Sequence, residues 1–292
     1  MQIRENEKKI TSDVQLSEEN SIGIEVPNRE RVCVDFDSLK DALDDAIELK
    51  IPVLLGRDVS GEPVVIDLSK CGHLLVAGNP ETGKTNFLDS LICSILRTKT
   101  ADDVLLALID TKGVEFPVYN GDSHLMLPVI TKVNNAFCFL EEIVSEIEHR
   151  VSSFNDVKVR GIEAYNRLVS ERQGVSCKKL PYIVIVVDEF SHLMMEDGKR
   201  FEALIKHITA SAKYCGIHLV ISTDRCSAGV ITGTIKTSFL SQIAFAVSGG
   251  INSRIIMDKI GAEDLLGAGD MLCSFVGMNN PIRIQGALVD AH

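Results

Sequence analysis

Residues 78–85 read GNPETGKT and constrain the fold of this 292-residue chain more than any other segment. The apolar run HLLVAG leads into the segment and the amphipathic run NFLDSLICSIL follows it, which is the order of strand, loop and helix in a phosphate-binding loop, or P-loop. Gly78 and Gly83 allow a tight turn, so that backbone N–H groups and the N-terminus of the next helix face an anion. Lys84 is placed to reach the β- and γ-phosphates, and Thr85 to hold Mg²⁺. The segment therefore predicts binding of a nucleoside triphosphate, ATP, together with Mg²⁺.

The composition is that of a soluble globular protein with a large core. Hydrophobic residues make up 45% of the chain and charged residues 24%, and no apolar run reaches the ~18 residues of a membrane span. The charged N-terminus, MQIRENEKKI, contains no secretory signal. The eight cysteines are scattered, without a C-x-x-C pair or a histidine at zinc spacing. We therefore expect a cytoplasmic protein without membrane insertion and without a metal other than nucleotide-bound Mg²⁺.

The net charge of −11 argues against a protein whose whole surface binds nucleic acid. The charge is uneven, since residues 1–50 contain 13 acidic and 7 basic residues. A basic stripe along a groove or pore is compatible with this composition, because only local charge governs phosphate contacts. Composition alone therefore leaves nucleic-acid binding open.

Apolar runs alternate with segments of helical periodicity and indicate an α/β fold. The runs VLLALID and YIVIVVDEF are continuous, as expected for strands buried on both faces of a parallel sheet. We predict a central, mainly parallel sheet flanked by helices in a main domain at 51–292, preceded at 1–50 by a short polar segment with the remnant of a small αβ domain. Strands are predicted at 21–28, 63–68, 73–78, 104–110, 182–190, 217–223, 242–247, 270–275 and 282–289. Helices are predicted at 38–50, at 87–96, at 201–215 with Gly216 as the terminating residue, and around an apolar stripe of Phe137, Leu140, Ile143, Val144, Ile147, Val151 and Phe154.

A pair of acids follows the buried run YIVIVV. Asp188 ends this predicted strand and Glu189 comes directly after it. In a P-loop ATPase such an acid holds the Mg²⁺ shell, so Asp188 is the predicted Mg²⁺ partner together with Thr85, and Glu189 is predicted to polarise the attacking water. Because ligands bind outside the carboxyl ends of parallel strands, the loops at these ends should converge. These loops are 78–85, 110–115, 188–190 and 223–225.

Beyond these motifs, a collinear series of segments resembles the motor region of the FtsK/SpoIIIE family of DNA translocases. The resemblance covers about 270 residues. It implies a RecA-like ATPase that assembles as a hexameric ring, with ATP between subunits and double-stranded DNA in the central channel, in the setting of chromosome partition and cell division. The segments are HLLVAG-x₄-GKT, LIDTKGVEFPVYNGDSHL, VKVRGIEAYNRLV, LPYIVIVVDEFSHLMM, GIHLVISTDR, VITGTIKTSFLSQIAFAVSGGINSR and GAEDLLGAGDML.

The resemblance also implies roles for individual residues. Asp110 and Lys112 match the acid-x-Lys pattern of the family on the strand next to the acid pair. An arginine from the adjacent subunit is needed to neutralise charge during phosphoryl transfer, and Arg254 and then Arg225 are the candidates, with a solvated surface arginine as the alternative for each. The basic residues that either contact DNA or only solvate a helix face are Lys199, Arg200, Lys206 and Lys213. The predicted nucleotide-contacting residues are Gly78, Asn79, Pro80, Glu81, Thr82, Gly83, Lys84, Thr85, Asn86, Asp188 and Asp224.

Three features depart from the family pattern. Asp224 stands where the family has a glutamine, and an acid there repels phosphate unless it is protonated or bound to Mg²⁺ or an arginine. Within the P-loop, Pro80 lacks an N–H donor and Glu81 adds a negative charge. We expect these changes to slow hydrolysis without abolishing it. The sequence also shows neither the membrane anchor nor the winged-helix module common in the family, so a fragment and a reduced relative both stay open.

The leading hypothesis is an ATP-dependent motor that moves double-stranded DNA and hydrolyses ATP at the subunit interfaces of a ring. The segments VITG-x-IK and GAGDML favour this hypothesis over a related ATPase of secretion or conjugation. A third hypothesis is a nucleotide-binding assembly or regulatory module with weak or no hydrolysis, which Asp224, Pro80 and Glu81 favour.

Overall fold

The computed structural model describes residues 32–171 and 178–289. A compact unit begins at Val34, and the strand predicted at 21–28 lies outside the described residues. The strands are β1 Val34–Asp35, β2 Pro52–Asp58, β3 Pro63–Asp67, β4 Leu74–Ala77, β5 Val104–Asp110, β6 Tyr182–Asp188, β7 Ile217–Thr223, β8 Ser241–Phe245, β9 Asp270–Ser274 and β10 Ile282–Leu288. The α-helices are α1 Lys40–Asp45, α2 Leu68–Cys71, α3 Lys84–Thr98, α4 Val133–Asp156, α5 Gly161–Glu171, α6 Ser191–Ser211, α7 Gly233–Ser238 and α8 Gly250–Met257, and short 3₁₀ helices cover Asp37–Leu39, Phe116–Tyr119 and Ala262–Asp264.

The strands form a single mixed sheet in the order β3-β2-β10-β9-β8-β4-β7-β6-β5, with β1 beside β10. The five strands from β8 to β5 are all parallel, which confirms the predicted parallel centre. The strands from β9 to β3 extend the sheet by antiparallel pairing. The parallel strands are almost fully buried, because helices cover both faces of such a sheet.

Strand register brings the functional segments to one edge of the sheet. Asp110 at the end of β5 pairs with Asp188 at the end of β6. The last residue of β4, Ala77, pairs with Thr223 of β7 and with Ala244 of β8. The P-loop and the acid pair therefore follow the carboxyl ends of adjacent parallel strands, where α/β proteins bind their ligands.

The side chains of the predicted apolar stripe pack toward the core along α4, except at one position, where a neighbouring residue is buried instead. Val151 is 38% exposed, whereas its neighbour Arg150 is buried. The Arg150 Nη1 donates to the carbonyls of Pro181 at 2.9 Å and Cys215 at 2.8 Å, and its Nε donates to Glu146 at 2.7 Å. A buried arginine is tolerated here because its donors are satisfied, and periodicity alone cannot reveal such partners.

Other predicted elements differ in their bounds. Helix α6 begins at Ser191 and ends at Ser211, whereas the prediction placed it at 201–215, and its φ and ψ are non-helical at Asp197. The helix predicted at 38–50 is a 3₁₀ turn followed by the six residues of α1. Strand β2 was not predicted, since its apolar run, residues 53–55, is short and lies between Pro52 and Gly56, residue types that are rare inside strands.

The segment after Val34 packs against the sheet. Phe36, Leu39 and Leu43 form a small apolar cluster with Leu54 of β2 and Ala287 of β10. The predicted domain division at residue 50 stays a prediction. Within residues 32–171 and 178–289, no helix combines the length and the apolar character that crossing a bilayer requires.

Candidate nucleotide-binding site

The predicted phosphate-binding loop, residues 78–83, connects β4 to α3 at the carboxyl edge of the parallel strands. The backbone N–H of Gly78 donates to the carbonyl of Thr223 at 3.3 Å, and that of Asn79 to the carbonyl of Ala246 at 2.9 Å. These hydrogen bonds tie the loop to the ends of β7 and β8, the two strands that flank β4. The loop is therefore held in place by both neighbouring strands.

Two glycines of the loop lie where a side chain does not fit. A Cβ atom at Gly78 would come within 2.6 Å of the Phe245 Cβ, and one at Gly83 within 2.7 Å of Gly269. Gly83 also has a φ of +118°, which residues with a side chain rarely adopt. The Gly269 N–H donates to the Thr82 carbonyl at 2.8 Å, so the loop contacts the turn before β9 directly. The glycine spacing of the motif thus has a steric cause.

The Lys84 side chain folds back over the loop. Its Nζ donates to the Asn79 carbonyl at 2.7 Å, and the Thr82 hydroxyl donates to the same carbonyl at 2.7 Å. Burial lowers the pKa of Lys84, and the nearby carboxylates of Asp224 and Glu189 oppose that shift. The ammonium group therefore lies inside the loop and close to the acids of the strand ends.

The first turn of α3 completes the loop. Gly83 is the N-cap residue, and no side chain caps the helix. An uncapped N-terminus offers backbone N–H groups and the positive end of the helix dipole to an anion. In this turn Thr85 is half-buried and Asn86 is exposed. The Thr85 hydroxyl thus lies at the helix end where a phosphate-bound cation is expected.

The two unusual loop residues, Pro80 and Glu81, are exposed. Glu81 has a φ of +59°, in the left-handed region. Next to them, the Asn79 Nδ2 donates to the Ser248 hydroxyl at 3.1 Å, which ties this part of the loop to the segment before α8. Because Glu81 is solvated, its repulsion of a bound phosphate is screened.

Asp188 lies at the end of β6 and is only 9% exposed. Its Oδ1 accepts a hydrogen bond from the Ser222 hydroxyl of β7 at 2.6 Å. Burial raises the pKa of Asp188, and the Ser222 hydrogen bond and the Lys112 ammonium partly offset this shift. A bound cation would favour the ionised carboxylate further, so the surroundings of Asp188 suit a Mg²⁺ partner.

Glu189 is nearly fully buried and has a φ of +51°, a conformation that strains a residue with a side chain. Its Oε1 accepts hydrogen bonds from the hydroxyls of Thr223, at 2.7 Å, and Ser191. Its Oε2 accepts the backbone N–H of Asp224 at 3.0 Å. Burial acts to raise the pKa of Glu189, but these hydrogen bonds outweigh it and lower the pKa. The carboxylate is therefore kept ionised and is held against β7.

Asp224, the acid in the glutamine position of the family, faces a lysine. Its Oδ2 lies 3.9 Å from the Nζ of Lys112, and the same Nζ lies 3.8 Å from Glu189 Oε2. Burial and the adjacent Glu189 raise the pKa of Asp224. The sequence prediction offered protonation, Mg²⁺ or an arginine as ways to tolerate this acid. In the structure its neighbouring cation within the chain is a lysine.

Both candidate arginines are exposed. Arg254 is exposed on α8 and lines a groove with Lys236 and Ile251. Arg225 follows Asp224, and its Nη1 lies 2.9 Å from the Met195 sulfur. Among the described residues, the charge of the Arg254 guanidinium acts on Glu263, next to α8, and helps to lower the pKa of that carboxyl.

The four basic residues considered for DNA contact lie on α6 or directly after it. Arg200 is already engaged, because it pairs with Glu141 at 2.7 Å and its guanidinium lies 4.7 Å from the centre of the Phe137 ring. Lys213 donates to the Lys70 carbonyl at 2.9 Å. The structure records no such contact for the side chains of the other two, Lys199 and Lys206.

The parallel strands flanked by helices, with a P-loop between β4 and α3, define the predicted fold class, that of the RecA-like P-loop ATPases. Within the described ranges no group of three or more His, Cys, Asp or Glu residues could hold a metal ion by itself.

The chain belongs to the FtsK/SpoIIIE family, whose sequence model matches residues 37–228. It is 44% identical over 271 residues to the DNA translocase FtsK of Treponema pallidum (strain Nichols), covering 92% of this chain and 34% of that protein. It is also 44% identical over 274 residues to the DNA translocase FtsK of Lactiplantibacillus plantarum, covering 93% of this chain and 34% of the relative. The chain thus spans about a third of the length of these relatives. The family resemblance seen in the sequence is confirmed.

A solved structure shows the same fold. The monomer form of the pCW3 conjugation coupling protein TcpA with ATPγS superimposes with a TM-score of 0.75 and 23% identity. The match covers 95% of this chain and 77% of that one. This likeness concerns the fold and confirms the predicted α/β ATPase architecture.

Several contacts of the site were not predicted. Ser222, Thr223 and Ser191 donate hydrogen bonds to the acid pair, and Lys112, which was expected only as part of the acid-x-Lys pattern, contacts both Glu189 and Asp224. The polar end of the otherwise apolar run IHLVIST is a signal for the first two, because polar residues at the carboxyl end of a buried strand need partners. Which acid they contact depends on the pairing of β6 with β7, which the sequence does not show.

Proposed function

We propose that this chain binds ATP with Mg²⁺ and hydrolyses its terminal phosphate. The observation that carries the proposal is the convergence of Lys84, Asp188 and Glu189 at one edge of the sheet. The Lys84 ammonium would give up its hydrogen bond to the Asn79 carbonyl and donate to phosphate oxygens when a nucleotide binds. The donors and charges that phosphoryl transfer requires are then grouped around one loop.

The strand-end acids have different tasks in this proposal. Thr85 and Asp188 would hold Mg²⁺, which supplies neutralisation of charge on the transferred phosphoryl group. Glu189 would orient the attacking water and accept its proton. The Glu189 carboxylate accepts hydrogen bonds from the Thr223 hydroxyl and the Asp224 backbone N–H. We expect it to give up one of these hydrogen bonds during turnover, so that it can bind the attacking water. The acid at Asp224 would slow this step without preventing it.

We further propose that the chain works in a hexameric ring around double-stranded DNA, with ATP at the subunit interfaces. The support is the family and the two relatives, which are DNA translocases by name. Arg254 would reach the site of the next subunit, with Arg225 as the second candidate. A cytoplasmic location is proposed because the cysteines of the described residues are free thiols, as is usual in reducing compartments.

Asp224 favours a second candidate function. An acid beside the phosphates and paired with Glu189 suits a nucleotide-binding assembly or regulatory module with weak hydrolysis. An ATPase of conjugation or secretion is a third candidate within the same fold, which TcpA shares. These candidates differ in their dependence on DNA and in their turnover.

The experiment that tests the proposal is steady-state ATP hydrolysis by the purified chain at low salt, with and without long double-stranded DNA. Strong stimulation by DNA supports the motor. Hydrolysis that is independent of DNA favours the ATPase of another transport process. Tight ATP binding without turnover in either condition favours the nucleotide-binding module and rejects the motor for this chain.

A further inference from the structure

The loop that follows β5 is fixed by one buried carboxylate. The Asp110 side chain is fully buried, and its Oδ1 accepts the backbone N–H groups of Lys112 at 3.0 Å and Gly113 at 2.9 Å. Its Oδ2 accepts those of Glu115 at 2.8 Å and Phe116 at 3.2 Å. Four hydrogen bonds to one carboxylate define the path of this loop, so the position from which Lys112 extends is set by the fold.

A second contact joins this loop to α6. The Thr111 hydroxyl and the His192 Nδ1 lie 2.7 Å apart, and α6 begins directly after the segment that carries Glu189. The loop is thus connected on one side to Asp110 and on the other to the helix that follows the acid pair. From this loop the Lys112 ammonium lies 3.8 Å from Glu189 Oε2 and 3.9 Å from Asp224 Oδ2.

The negative charge of the acids around the expected phosphate position calls for a neutralising cation such as Lys112. Asp188, Glu189 and Asp224 bring carboxyl groups to this edge in addition to the buried Asp110, and Lys84 is the cation of the P-loop itself. Glu189 and Asp224 are adjacent, because the Asp224 N–H donates to the Glu189 carboxylate at 3.0 Å. Lys112 is the other cation that contacts these two acids among the described residues. Without it, Lys84 alone would face the negative charge of the acids and of the phosphates.

We propose that Lys112 is a positioning residue of the nucleotide site, whose ammonium group holds the Glu189 carboxylate against β7 and offsets the negative charge that Asp224 adds. The proposal rests on the proposed function, since Glu189 is taken to orient the attacking water. Lys112 itself stays outside the reaction and acts through the two acids. The glutamine-to-acid departure is thereby tolerated through a residue on a different strand.

The test is a double-mutant cycle on the full chain with Lys112→Met, Asp224→Asn and the combination, measuring kcat and KM for ATP. Lys112→Met should lower kcat about tenfold and raise KM severalfold, because both acids lose their cation. In the Asp224→Asn background, Lys112→Met should lower kcat only about threefold or less. Lys112→Arg should retain at least half of the wild-type kcat. Lys50→Met, a change of an exposed lysine near the amino ends of the strands, should change neither constant.

Two results would overturn the proposal: equal losses from Lys112→Met in both backgrounds, or wild-type kinetics in the single variant. Since the Lys112 side chain is 43% exposed, the thermal midpoint should stay within a few degrees, and Lys112→Arg repeats the test if it does not. If the wild-type chain hydrolyses no ATP, the proposed function fails by itself. The affinity for a fluorescent ATP analogue then replaces kcat, and a loss that disappears with Asp224→Asn still supports the charge offset.

Discussion

The Ser222 hydroxyl of β7 donates a 2.6 Å hydrogen bond to Asp188 Oδ1 at the end of β6 and accepts the N–H of Glu189 at 3.4 Å. One hydroxyl thus contacts both acids of the pair from the neighbouring strand. Because β6 and β7 are parallel and adjacent, this contact sets how Asp188 faces the P-loop edge. Ser222 is fully buried, so water is not available to replace it.

Ser222→Ala should raise the Mg²⁺ concentration needed for half-maximal ATP hydrolysis. The change removes a donor from a buried carboxylate, a loss that costs roughly 1–3 kcal/mol. Hydrolysis is measured across a Mg²⁺ titration at saturating ATP. Ser94→Ala is the matched control, because it removes a buried hydroxyl that bonds the Leu54 N–H and the Ser90 carbonyl, away from the strand ends. An equal Mg²⁺ requirement in both variants would contradict the role of Ser222.

Lys84→Ala should abolish tight nucleotide binding. The ammonium is the cation of the P-loop, and the loss of charged hydrogen bonds of this kind corresponds to about a hundredfold in affinity or more. Equilibrium titration with a fluorescent ATP analogue measures the change, with Lys50→Ala as the control. Retained tight affinity would show that the loop does not bind phosphate.

Glu189→Ala should leave ATP binding intact and lower kcat by about 10²–10⁴-fold, the usual effect of losing a general base. Binding and single-turnover hydrolysis are measured separately on the same preparation. Glu189→Gln is the companion variant, because the amide keeps the size and the hydrogen-bonding positions of the side chain. Activity that survives in both variants would mean that Asp224 accepts the proton instead.

Asp224→Gln should raise turnover severalfold, because it removes an acid whose pKa is raised by burial and by Glu189 and restores the residue typical of the family. Steady-state kcat with and without DNA is the measurement. An unchanged or lower rate would show that the rest of the site, including Lys112, has adapted to the acid.

Two buried histidines at the amino ends of the strands should make the protein sensitive to acid. Burial lowers the pKa of His73 to about 3 and that of His218 to about 4, and the Lys213 ammonium adds to both shifts. Their neutral forms stabilise the fold fully above the unfolded pKa of about 6.5, and this stability is lost as the pH falls below it. Each histidine then contributes a slope of about 1.4 kcal/mol per pH unit to the free energy of unfolding.

The double variant His73→Asn and His218→Asn tests this prediction. Asparagine places a hydrogen-bonding atom near the histidine Nδ1 position, which bonds the Leu219 N–H in one case and the Gly72 carbonyl in the other. Urea unfolding at several pH values between 7 and 5 should show a flatter loss of stability in the variant. Parallel slopes for the two proteins would assign the acid sensitivity to other groups.

The parallel half of the sheet could be predicted from the sequence because each buried strand is a continuous apolar run. The predicted bounds of 104–110 and 217–223 are those of β5 and β7. Strand β2 and the first half of α6 lack such long runs, since Pro52 and Gly56 bound the short apolar run of β2 and the non-helical Asp197 interrupts α6.

The same limit applies to the site. The residues within one motif, such as Gly83 and Lys84, could be predicted because their roles depend on local spacing. The contacts of Lys112 with Glu189 and Asp224 join three different strand ends, and they depend on strand order. The sequence predicted that these strand ends converge, but spacing along the chain does not show which of their side chains meet.

The contact between Gly83 and Gly269 has a consequence for how much of the chain a nucleotide site of this kind requires. The two backbones approach so closely that neither a Cβ at Gly83 nor a separation of the two turns is compatible with the observed loop. The turn that precedes the antiparallel strand β9 therefore packs against the loop and fixes its conformation. A minimal piece cut to the five parallel strands would keep every motif residue of the P-loop and the acid pair but lose the surface that shapes the loop.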